Sequence, residues 1–260
     1  MQGIGGVGMD QKERLQFLVT YLVRERHLDV EIPEKEKELF QLYRALVNTR
    51  EASPISQEFL KIQDEMLQAE NKQKGIINFD DDQGSIIIWK GDITRLKVDA
   101  IVNAANNQME GCFVPGHTCI DNAIHTYAGV QLRNDCHELM QKQGFLEPTG
   151  KAKITKAYNL PCQYILHTVG PIIRGKVTKK NEQLLASCYE SCLRLAEKYG
   201  IKTIAFCCIS MGVFHFPNEK AAKIAIKTVK EYLKHSIIEK VIFNVFKDED
   251  EHIYHYLLSK

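Results

Sequence analysis

Between Gln11 and Asn71 the apolar residues return every three or four positions, as in Leu15, Leu18, Val19 and Leu22, then Leu39, Leu42, Tyr43 and Leu46, then Phe59, Ile62, Met66 and Leu67. That is the period of one helical face. With Pro33 and Pro54 as punctuation, the pattern predicts three amphipathic helices packed as a cap or side-piece, their charged residues facing solvent. The polar stretch NKQKGIINFDDDQGS (71–85) marks a boundary. After it come short apolar runs of strand length: IIIWK (86–90), AIVNAA (100–105), the alternating KAKITKAYNL (151–160), YILHTVG (164–170), TIAFCCIS (203–210) and KVIFNVF (240–246). Helical patterns lie between them at about 120–142, 181–199 and 218–235. Strands alternating with helices predict a three-layer sheet with helices on both faces, and in such sheets ligands sit beyond the carboxyl ends of the strands.

Composition narrows the reading. The 260 residues suffice for a large core, and 34 Lys plus Arg against 33 Asp plus Glu leave no broad basic face, which disfavours nucleic acid as a partner. No run approaches the roughly 20 apolar residues of a membrane helix, and no export signal opens the chain, so a cytoplasmic protein is expected. Residues 1–9, beginning MQGIGGVG, are expected to be a flexible leader, 10–75 a helical region and 76–260 the main domain. Of eight cysteines, most belong in the core, such as Cys207 and Cys208 in their apolar run; Cys112 and Cys119 need another explanation.

Four strand-to-loop junctions stand out: GDITRL (91–96), VNAANN (102–107), GCFVPGHTCIDNAIH (111–125) and SMGVFHFP (210–217). Together, in this order, they resemble the macrodomains, ADP-ribose-binding modules with GDIT, VNAAN, a loop ending V-D-x-A-I-H, and a late S-x-G-x-[FY]-G-[FY]-P. The resemblance covers about 76–260 and implies a three-layer α/β/α fold with a mixed central sheet. It implies that Asp92 accepts from the adenine amino group with help from the Ile93 backbone, and that Asn106 faces the distal ribose. Read alone, GDIT is a turn or a helix cap. Gly212 lets backbone amides approach a diphosphate, so Ser210, Gly212, Val213 and Phe214 form the expected phosphate cradle, with Phe214 and Phe216 offering apolar faces. Asn103 is expected to brace neighbouring loop backbone, and His125 to pack or hydrogen-bond. His215 stands where the late loop commonly has glycine. There is no GxxxxGK[ST] motif for triphosphate hydrolysis.

Where macrodomain hydrolases commonly run through consecutive glycines, this chain has EGCFVPGHTC. Cys112, His117 and Cys119 form C-x4-H-x-C, three soft ligands, which is a catalytic count for zinc because one tetrahedral position stays open. The bland reading is two small buried thiols and a solvated histidine. Cys119 would sit at a helix start, where the dipole favours thiolate. His125, Cys136 and His137 are candidates to close the site. The insertion resembles the zinc-dependent macrodomain branch of certain bacterial pathogens, which implies one Zn2+ per chain and removal of mono-ADP-ribose from modified proteins, here from acidic side chains. That branch also implies a sirtuin-type transferase and a lipoyl-carrier protein as context; a monomer is expected. Asp121 is expected to bond a ribose hydroxyl or assist proton transfer, with Asn106 beside it, and Cys119, Ile120 and Asn122 complete the expected substrate face. The rival reading is a non-catalytic ADP-ribose reader whose metal only shapes the pocket.

Overall fold

The computed structural model describes residues 8–79 and 84–260, so most of the expected leader, 1–7, lies outside the described residues. Three helices come first: α1 (Gln11–Glu25), α2 (Glu36–Thr49) and α3 (Gln57–Lys74). Their starts are set locally. Asp10 accepts from the Glu13 amide and Glu13 reaches back to the Asp10 amide, while Ser56 caps α3 through the Phe59 amide. The three helices bury the predicted stripes against one another, in a core that includes Leu18, Leu22, Tyr43, Phe59 and Met66.

Six strands follow: β1 (Ile86–Lys90), β2 (Ala100–Ala104), β3 (Ala152–Lys156), β4 (Tyr164–Thr168), β5 (Thr203–Phe206) and β6 (Lys240–Val245). They form one mixed sheet in the order β1-β6-β5-β2-β4-β3, with β3 alone antiparallel to its neighbour. β2, β5 and β6 are largely apolar and buried on both faces, as central strands are. Helices α4 (Ile120–Ala128) and α5 (Val130–Gln143) cover one face; α6 (Lys179–Lys198), α7 (Asn218–Leu233) and α8 (Asp248–Leu258) cover the other. The parallel strands all end on one edge, which gathers residues 91–96, 105–119 and 207–217.

One expectation needs correction, and one helix is additional to the sequence pattern. The predicted helix over 120–142 is two helices, broken at Gly129 with φ 102°; a Cβ there would lie 2.6 Å from both Gln63 Nε2 and Gln131 Oε1. A further helix, α8, follows the last strand.

The helical region docks on α4 and α5. Val130 joins its core and Tyr127 stacks on Phe40, with ring centroids 5.9 Å apart. The seam is also polar: buried Gln63 Oε1 accepts from Tyr43 Oη and from the Val130 amide, both at 3.1 Å, and Gln63 Nε2 donates to Gln131 Oε1 at 2.7 Å. Asn71 donates to the Asn159 carbonyl at 2.6 Å. Each such bond is worth about 1 kcal/mol net, and more is lost if one buried partner is stranded.

Candidate functional site

Asp92 follows β1 and caps a short 3-10 turn, Ile93–Arg95, accepting from the amide and hydroxyl of Thr94 at 3.0 and 2.6 Å. Its second oxygen lies 2.5 Å from Lys74 Nζ at the end of α3. Burial pushes the Asp92 carboxyl up, but Lys74 and the Thr94 hydrogen bonds outweigh it and hold the group below its ordinary value. Ile93 is buried beside it.

Asn106 folds the loop after β2. Its carbonyl accepts from the amides of Gln108 and Met109 at 2.9 and 3.2 Å, and its amide donates to the Gly111 carbonyl at 2.9 Å and faces Asp121 Oδ2 at 3.4 Å. Asp121, in the first turn of α4, is buried; its other oxygen accepts from Asn103 Nδ2 at 2.8 Å. Burial pushes its carboxyl up to about 6 against the opposing pull of Asn103 and Arg133. Asn103 therefore braces side chains, Asp121 and His167 Nδ1 at 3.1 Å, where loop backbone was expected.

Cys112, His117 and Cys119 converge, with their ligand atoms all within 4.8 Å of one another and Cys112 Sγ 3.6 Å from His117 Nδ1. All three side chains are half-buried, so solvent reaches the cluster. Cys119 is the N-cap of α4, its sulfur accepting from the Asn122 amide at 3.5 Å. Burial first, then neighbouring Cys112 and Asp121, push this thiol up to about 12, while the Asn122 amide at the helix start pulls the other way. Two sulfurs crowded together, with an imidazole beside them, fit a divalent cation that would take them as thiolates and neutralise their charge.

The other suggested ligands do not close this site. His137 Nδ1 pairs with Glu110 Oε1 at 2.8 Å. His125 and Cys136 belong to a separate buried group with His167, where the His167 ring is already engaged by Asn103 Nδ2 and by Thr155 Oγ1 at 2.9 Å. His125 packs over Gly111, as expected of a packing residue; a Cβ at Gly111 would lie 2.8 Å from its Cγ.

The late loop arches over the ends of β5 and β6. Ser210 holds φ 64° and His215 φ 58°, left-handed values that favour glycine. Phe216 donates its amide to the Ser210 carbonyl at 2.9 Å, His215 to the Gly212 carbonyl at 3.0 Å, and Ile173 to the Phe214 carbonyl at 2.9 Å. Gly212 and Val213 are exposed and Phe214 half-buried, whereas Phe216 is 1% exposed and packs in the sheet core. The ring available to a ligand is therefore that of Phe214.

Asn122, expected on the substrate face, is a further correction. Its side chain is fully buried and used at both ends: Oδ1 accepts from Arg44, and Nδ2 donates to the Val114 carbonyl at 3.0 Å. Ile120 beside it is half-buried. Arg44 and Lys74 touch this neighbourhood from the helical region, over sequence separations of 78 and 20 residues or so, and no local motif announces such partners.

A six-stranded mixed sheet between helices, with the loops of Asp92, Asn106 and Gly212 on its carboxyl edge, defines a macrodomain, and the Macro domain family model matches residues 102–225. The chain belongs to that family. It is 53% identical to the Protein-ADP-ribose hydrolase of Treponema medium over 96% of this chain and 100% of that one. It is 50% identical to the Protein-ADP-ribose hydrolase of Staphylococcus aureus (strain MSSA476) over 94% of each. Among solved structures, a mutant Oceanobacillus iheyensis macrodomain with ADPR superposes with a TM-score of 0.62 at 34% identity, covering 70% of this chain and 95% of that one. No helix among the described residues is long and apolar enough to cross a membrane.

Proposed function

We propose that this protein is a zinc-dependent hydrolase that removes mono-ADP-ribose from modified proteins, with acidic side chains as the points of attachment. Hydrolase relatives spanning nearly the whole chain support the activity. The observation that carries the finer reading is the convergence of Cys112, His117 and Cys119 at the mouth of α4, adjoining Asn106 and Asp121.

In this reading Asp92 accepts from the adenine amino group, oriented for it by Thr94 and Lys74. The diphosphate lies along the backbone of Ser210, Gly212, Val213 and Phe214, where the bare Cα of Gly212 permits close approach. The distal ribose then reaches Asn106 and the start of α4. A zinc ion held by the two sulfurs and the imidazole would polarise an oxygen ligand and lower the pKa of a bound water. The Asp121 carboxylate, whose pKa burial pushes up to about 6, accepts a proton from the attacking water or a ribose hydroxyl, and Asn106 fixes the distance between that carboxylate and the loop. The sugar–carboxylate bond breaks, releasing ADP-ribose and the free side chain. A lipoyl-carrier protein modified by a sirtuin-type transferase is the proposed target, and a monomer the working unit.

The test is incubation with defined aspartate-, glutamate-, serine- and arginine-linked ADP-ribosyl peptides, with and without a chelator. Turnover of the acidic linkages, lost on chelation and restored by zinc, is the expected result. Binding of ADP-ribose without turnover of any linkage would make the protein a reader.

A further inference from the structure

We propose that Arg44 and Asn48 of α2 are positioning residues for the Cys112–Cys119 ligand loop, which makes the N-terminal helices a working part of the metal centre; this rests on the metal reading above. Arg44 Nη2 donates to the carbonyl of His117, itself a ligand, at 2.7 Å, and its Nη2 and Nε both reach Asn122 Oδ1, at 2.9 and 3.2 Å. One planar fork thus ties the loop's histidine to the first turn of the helix that Cys119 begins. Asn122 passes the restraint on through Nδ2 to the Val114 carbonyl. One turn further along α2, Asn48 Oδ1 accepts from the Gly116 amide at 3.0 Å, while its Nδ2 donates to Thr126 Oγ1 at 2.9 Å.

Packing does little to place this loop. Phe113, Val114, Pro115 and Gly116 are exposed, and the Phe113 ring is met by the Arg133 guanidinium, 4.3 Å from its centroid. The polar anchors on Gly116, His117 and Asn122 come from α2. Arg44 forms no ion pair with a carboxylate among the described residues, so its half-buried guanidinium is spent on neutral acceptors. A cation placed on a ligand's own carbonyl and on its neighbour acts on geometry, and outer-shell partners of this kind are typically worth about 10–100-fold in metal affinity.

The experiment measures zinc affinity by competition with a chromogenic chelator for wild type, Arg44→Ala, Arg44→Lys, Asn48→Ala and the control Gln68→Ala. The control removes an α3 hydrogen bond to Asn159 Oδ1 that lies away from the loop. Amide exchange across residues 113–122 of the zinc-free proteins gives a second readout. Arg44→Ala should bind zinc at least about tenfold more weakly, with faster exchange at Gly116 and Asn122. Arg44→Lys, which keeps the charge but loses the fork, should fall between it and wild type, and it carries the test if Arg44→Ala does not fold. Gln68→Ala should match wild type. Arg44 and Asn48 variants that hold zinc within about twofold of wild type would overturn the proposal while leaving the metal reading intact. A wild type that takes no zinc overturns both.

Discussion

Lys74, the last residue of α3, lies 2.5 Å from Asp92 and 3.5 Å from the centroid of the Tyr127 ring, so one ammonium joins the helical region, the loop after β1 and α4. Asp92 is the residue expected to read adenine. Lys74→Met should leave that carboxylate unpaired and less well oriented, and weaken ADP-ribose binding by about 5–30-fold, or 1–2 kcal/mol. Isothermal titration with ADP-ribose and with ribose 5-phosphate checks this: the loss should appear with the first and not the second, because only the first carries adenine.

Buried Asp121 and half-buried Asn106 face each other at 3.4 Å beside the Cys112–Cys119 loop. Replacing Asp121 with Ala should lower kcat by about 100-fold or more, the usual scale for a positioned proton acceptor, while free ADP-ribose affinity changes by about threefold at most. Single-turnover kinetics separate the two. Unchanged hydrolysis would remove Asp121 from the mechanism.

Gly170 lies two residues beyond β4, and a Cβ built there would lie 2.1 Å from Ser210 Oγ and 2.9 Å from Ile209 Cγ2. Ser210 already holds a left-handed backbone. Gly170→Ala should push the late loop outward, costing about 1–3 kcal/mol in stability through overpacking and weakening both ADP-ribose and ADP. Thermal melting and titration with each ligand report the two effects. A variant that melts earlier yet binds both normally would separate this loop from the diphosphate.

Burial holds His167 down at about 3, and burial with the nearby Arg133 and His167 charges holds His125 well below its ordinary value. The folded protein binds these protons less readily than the unfolded chain does. Stability is therefore fully present above about pH 6.5 and should decline by about 1.4 kcal/mol per pH unit for each histidine as acid is added, levelling for His167 near 3. Urea melts of zinc-free protein between about pH 7 and about pH 5 should show this slope, and His167→Gln should reduce it by about one histidine's share. An identical slope in the variant would mean that His167 takes up its proton without unfolding.

The runs AIVNAA and KVIFNVF became the central strands β2 and β6 almost residue for residue, because a strand buried on both faces is largely apolar; IIIWK became β1, an edge strand whose apolar side chains are half-buried. The break at Gly129 was hidden, since Ile124, Ala128 and Leu132 keep helical spacing across it and the reason for the turn is Gln63, far away in sequence. Helix α8 opens with Asp248, Glu249, Asp250 and Glu251 and buries only Asp250 and Tyr254, so hydrophobic periodicity was faint there; the acidic first turn, favourable at a helix start, was its one local sign. At the site, Cys112, His117 and Cys119 were readable as a group because eight consecutive residues hold all three. Asn122 was misassigned because adjacency to Asp121 could not show that Arg44 would claim its side chain.

The guanidinium of Arg133 on α5 carries one further consequence. It donates to the carbonyls of Glu110, Val47 and Arg50, and two of those three belong to the end of α2. Cutting the gene at the recognisable edge of the macrodomain would leave that cation with only the Glu110 carbonyl and the Phe113 ring, and Val130 and Tyr127 stripped of their cover. The smallest autonomous unit of this enzyme therefore begins ahead of its family signature, and a shortened version should be expected to come out of cells as aggregate.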